Sequence, residues 1–85
     1  MINNKKQSKM MYNCYVLSSP KPYWAGMISL NEAEVSRLSS LPVVGDNLFL
    51  IDRSFINSLS NQYDIKVMLL RISDDMGDSL AIALS

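Results

Sequence analysis

The 85-residue chain has no histidine, a single cysteine, three glycines and three prolines. Without histidine, both the commonest general base and the commonest metal-ligating side chain are missing, and the usual Cys/His zinc sites cannot be written. A lone Cys14 excludes an intramolecular disulfide and suits a reducing cytoplasm. Glycines at 26, 45 and 77 cannot supply the phosphate-cradling P-loop or the dinucleotide fingerprint. No apolar run approaches the roughly 20 residues that span a bilayer, and none of signal-peptide type follows the basic N-terminal residues. The expectation is a cytoplasmic protein that neither crosses a membrane nor is secreted.

What is present is a small chain with room for one hydrophobic core. Its net charge of zero hides an asymmetry. Lys5, Lys6, Lys9 and Lys21 all precede the first acidic residue, Glu32, whereas from Tyr23 onward four cations face eight anions. The outline is a basic arm on an acidic body. Residues 1–9, rich in Asn, Lys, Gln and Ser, offer almost nothing to bury and read as a flexible basic arm. Residues 10–85 read as a single α+β domain.

Along that domain, Met11 to Ser18 has the composition of a strand and ends at Ser18-Ser19-Pro20-Lys21-Pro22, where two prolines in three residues stop regular structure. Tyr23 to Ile28 reads as a second strand, weakened at Gly26. Asn31 with Glu34 three residues later is a capping box, flanked by Leu30 and Val35 as a hydrophobic staple, and starts a helix that Pro42 closes. Glu34 and Arg37 are expected to pair on its wet side. Val43 to Asn47 reads as a turn, and Leu48-Phe49-Leu50-Ile51 as a central strand buried on both faces. Asp52 caps a second helix with Phe55, Ile56 and Leu59 on its apolar face, ending near Asn61 and Gln62.

Asp64 to Ile72 places Ile65, Val67 and Leu69 on one side and Met68, Leu70 and Ile72 on the other, which reads as an interior strand. With Leu80 to Leu84 it would form a terminal hairpin around Ser73–Asp78. The element order is then ββαβαββ: a mixed or antiparallel sheet with two short helices on one face, the strand-helix-strand steps favouring some parallel pairing.

For chemistry, Cys14 sits mid-strand beside Tyr12 and Val16 and reads as packing rather than as a nucleophile. Asp74, Asp75 and Asp78 are mis-spaced for a calcium loop, since counting from Asp74 the sixth residue is Ser79 and the twelfth Ser85. They read as a solvated turn. With no histidine beside them, nothing marks any serine as activated. The expectation is a non-enzymatic protein with no catalytic residue, no cofactor and no metal.

The remaining feature is the stretch from Lys9 to Trp24, where Tyr12, Tyr15, Tyr23 and Trp24 lie near Lys5, Lys6, Lys9 and Lys21. The aromatics can be core residues. They can form a protein interface, with Pro20 and Pro22 stiffening the Tyr23-Trp24 pair. They can stack on bases while the lysines neutralise phosphates, a reading the acidic body opposes. The leading expectation is a protein-binding module that acts through its surface on a larger protein or complex, as an inhibitor or adaptor of the type found in phage and mobile elements. A nucleic-acid-binding regulator and a structural subunit of a homo-oligomer are the alternatives.

Overall fold

β1, Met10–Leu17, and β2, Tyr23–Leu30, form an antiparallel pair in which Met10 faces Leu30 and Val16 faces Tyr23. The computed structural model describes residues 10–59 and 62–84, so the expected arm with Lys5, Lys6 and Lys9 lies outside the described residues. The loop between the strands contains a cis Ser19–Pro20 peptide. Cys14 faces Gly26 but Tyr15 faces Trp24, which leaves Ala25 as the extra residue of a β-bulge. Gly26 has φ 137°, a conformation that glycine alone adopts without strain.

The capping box expected from Asn31 and Glu34 is formed: Glu34 N–H donates to Asn31 Oδ1 at 2.8 Å, and Asn31 N–H to Glu34 Oε1 at 2.9 Å. It opens α1, Glu32–Ser39. Closing that box turns the Glu34 carboxylate inward, so Glu34 is only 5% exposed and not on the wet side. Arg37 lies 5.6 Å over the Phe55 ring and donates to Ser58 Oγ. A two-residue β3, Val43–Val44, occupies part of the expected turn and pairs with β4, Leu48–Ile51. Asp52 Oδ1 accepts from Phe55 N–H at 2.8 Å and caps α2, Arg53–Asn57, which stops well short of Asn61.

The segment expected as an interior strand is a helix, α3, Tyr63–Arg71, continued by a π-helical turn over Ile72–Met76 and ended by Gly77 at φ 70°. Ile65, Met68, Leu69 and Ile72 also satisfy the helical spacing, and short apolar runs fit both periods. Tertiary contact decides: Leu69 is fully buried, and Ile65, Met68 and Ile72 pack against the core. The terminal hairpin therefore does not exist. Ser73–Asp78 instead leads from the helix into β5, Ser79–Ala83, and Asp74 pairs with Arg53 of α2.

The described residues form three helices and five strands in the order β2-β1-β5-β4-β3, antiparallel at every pairing. The parallel pairing favoured by the strand-helix-strand steps does not occur, because α1 joins strands at opposite edges and α2 with α3 returns the chain to an adjacent antiparallel strand. β5, not β4, is the central strand. An α+β class is correct, with three helices rather than two.

Cys14, Val16, Ile28, Leu30, Ile51, Leu80 and Ile82 from one face of the sheet join Leu38, Phe55, Ile56, Leu59 and Leu69 in one cluster. Burying a side chain of this size contributes about 1.5–3 kcal/mol, so this layer dominates stability.

Candidate functional site

Strand alternation places Met11, Asn13, Tyr15 and Leu17 on the face opposite Cys14 and Val16. Their partners extend that second face across the sheet: Ser29, Met27 and Trp24 on β2, Ala81 and Ala83 on β5, Leu48 and Leu50 on β4. None of these residues belongs to the core cluster, whose helix side chains all pack on the other face of the sheet, although Ala81 and Ala83 are themselves buried. Trp24, Met11 and Met27 are 57%, 54% and 43% exposed. Among the described residues of the five strands, none on this face is charged.

The bulge decides which aromatics meet there. In unbroken register Trp24 would oppose Val16 and point toward the helices. The extra residue Ala25 shifts the pairing by one, sets Trp24 against Tyr15 on the open face and turns Ala25 toward the core. Trp24 Nε1–H then donates to Asn13 Oδ1 at 2.9 Å, which fixes the indole across β1. Tyr12, three residues from Tyr15, lies on the opposite face and packs against the core. Beside it Met10, Leu30 and Val35 line a depression of about 310 Å³. Tyr23 faces Val16 at the loop end of β2 and is exposed. The four aromatics therefore do not form one patch: Tyr15 and Trp24 come together, Tyr12 is separated from them by the sheet, and Tyr23 stands at its end.

A shallow groove of about 420 Å³ crosses the open face between Tyr15, Ala83 and Leu48, and is flanked by Lys21 and Pro22 of the β1–β2 loop and by Asp46 and Asn47 of the β3–β4 turn. Its floor at Ala83 follows from β5, where the large Leu80 and Ile82 point to the helices and the small Ala83 to the open side. Lys21 is thus a rim residue with an anion in the same groove, not part of a cationic track.

Both edges of the sheet are blunted. Gln62 Nε2 donates to the Ser29 carbonyl at 2.8 Å and its Oε1 accepts from Ser29 N–H at 2.9 Å, so a side-chain amide takes the place of a neighbouring strand along β2. The bulge at Ala25 interrupts that edge nearer the β1–β2 loop, and the other edge, β3, is two residues long. The Cys14 thiol is withdrawn under the helices, where loss of solvation pushes its pKa up to about 11 against a smaller lowering by a backbone hydrogen bond at Tyr15. The open face offers aromatic and thioether contact area.

Comparison with protein-family models, with curated proteins and with solved structures finds no match. Among the described residues no helix is long and apolar enough to cross a membrane.

Sequence reasoning missed Met11, Met27, Leu48 and Leu50 as members of this face. The signal was the unbroken Leu48–Ile51 run, which demands cover on both sides. Phe49 and Ile51 receive it from the helices, while Leu48 and Leu50 remain half-buried on the open side.

Proposed function

We propose that this chain is a non-enzymatic protein-binding module whose working surface is the helix-free face of its sheet. The observation that supports the reading is an uncharged face carrying Trp24, Tyr15, Met11 and Met27, residue types that dominate binding energy at protein interfaces, on a sheet whose edges are blunted. The largest apolar patch on a small protein is often its functional surface. With edges poorly suited to strand addition, a partner approaches face-on and adds its own apolar layer over the groove. A module of this kind acts by occupying a surface on a larger protein, as an inhibitor or adaptor does, and its single buried thiol suits the cytoplasm.

The test is affinity capture from the native host by the wild-type chain and by Trp24→Asp, with both variants checked for the same far-UV circular dichroism and melting temperature. A specific protein held by the wild type and lost by the variant is the expected result. Equal capture by both, or recovery of nucleic acid alone, overturns the reading.

A further inference from the structure

On the reading that the open face binds protein, we infer that in the isolated chain this face is covered by a second copy, the two sheets packed face to face about a two-fold axis. The argument rests first on charge. The groove has one cation and one anion, Lys21 and Asp46, which come from the β1–β2 loop and the β3–β4 turn, at opposite ends of the sheet. A two-fold axis lying in the interface, midway between them and perpendicular to the line joining them, sets Lys21 of each copy on Asp46 of the other. One operation makes both pairs, as isologous association requires. The rest of the face is uncharged, so self-association brings no like charges together.

Edge geometry narrows the mode. Sheet extension through β2 would have to displace Gln62 from Ser29 and straighten the bulge, and β3 is too short to template a strand. The face is the open route. The small Ala83 leaves room in the groove between Tyr15 and Leu48 for exposed side chains of the partner's β2, Met27 and Trp24.

Size sets the strength. Four strands at about 4.8 Å spacing and about six residues at about 3.3 Å give a footprint of roughly 400 Å². That is the size of the largest apolar patches on monomers and about half of the roughly 800 Å² each partner buries in a stable complex. A footprint of that size belongs to a weak, reversible association.

The experiment is sedimentation equilibrium on the full chain from about 1 to about 500 µM, a range spanning micromolar affinity. The wild type is expected to move from the chain mass toward twice that mass, and Trp24→Asp to remain monomeric throughout. Lys21→Asp and Asp46→Lys should each weaken the dimer by about fivefold or more, and the double exchange should return it to within about threefold of the wild type. Both positions are on the exposed rim, so the exchange leaves the core untouched. A wild type that stays monomeric across the range, or a double exchange no tighter than the singles, overturns the inference. A monomeric wild type that still captures a protein lost by Trp24→Asp overturns the second copy alone. A monomeric wild type whose capture does not depend on Trp24 overturns the binding-face reading as well.

Discussion

On one side of β5, Leu80 and Ile82 lie sealed beneath the helices; on the other, Ala83 floors an open groove between Tyr15 and Leu48. Both faces are apolar, and what separates them is cover. Three helices supply the first face with Leu38, Phe55, Ile56 and Leu69, joined by Leu59 just past α2, and none is left for the second. The core face accordingly holds the fold together, and the exposed side chains of the open face can change with little loss of stability. Four substitutions or titrations test that division, beginning with the one of greatest expected effect.

Phe55→Ala removes the largest fully buried side chain, and with it the surface on which Arg37 lies. A loss of about 3–5 kcal/mol is expected, a large share of the stability of a domain of this size. Urea denaturation measures it. A loss below about 1 kcal/mol would show that the helices are not the main cover of this face.

The Cys14 thiol probes the same layer by pH. Its folded pKa is raised to about 11 from an ordinary 9.0, so the buried group stays protonated when the unfolded one has already ionised. The unfolded state then binds fewer protons, and stability falls as pH rises from about 9 to about 11. Below pH 9 the contribution is fully present. The loss is on the order of 2–3 kcal/mol, and Cys14→Ala should flatten that part of the profile relative to the wild type. Equal slopes in both proteins would place the thiol in contact with water.

The edge of β2 comes next. Gln62→Ala frees both backbone groups of Ser29 and should cost about 1–2 kcal/mol, with faster aggregation as the edge becomes available for pairing. Chemical denaturation gives the first quantity and light scattering the second. A variant as stable and as soluble as the wild type would mean that the bulge alone protects the edge.

These residues also show what was legible in the sequence. α1 could be placed because its signal is local: Asn31, Glu34, Leu30 and Val35 make their contacts within five positions. The cap of α2 at Asp52 and the strands around Cys14, Leu48 and Leu80 were legible for the same reason. α3 was not, because Ile65 to Ile72 fits both periods and the choice is made by a distant surface, the core that receives Leu69. Gln62 was read as the end of a helix, since its bond to Ser29 spans 33 positions with no local mark. At the site, Tyr12 and Tyr15 stand an odd number of residues apart, so their separation onto opposite faces was available from alternation alone. The meeting of Tyr15 with Trp24 was not. It depends on a bulge of one residue, which the sequence marks only as a glycine in a strand.

Trp24→Ala should have the smallest effect on folding and the largest on association. The indole is 57% exposed, and its hydrogen bond to Asn13 is itself exposed, so most of what the side chain gains on folding is available to it in the unfolded chain. A change within about 0.5 kcal/mol is expected in dilute protein. Concentration is the sharper variable. If a second copy covers the face, the wild type gains stability with protein concentration by mass action while Trp24→Ala does not. Melting curves recorded at low and high concentration therefore separate two meanings of the open face. Parallel, concentration-independent curves would describe a surface waiting for a different partner; a wild-type curve that alone moves upward would describe one already occupied by its own copy.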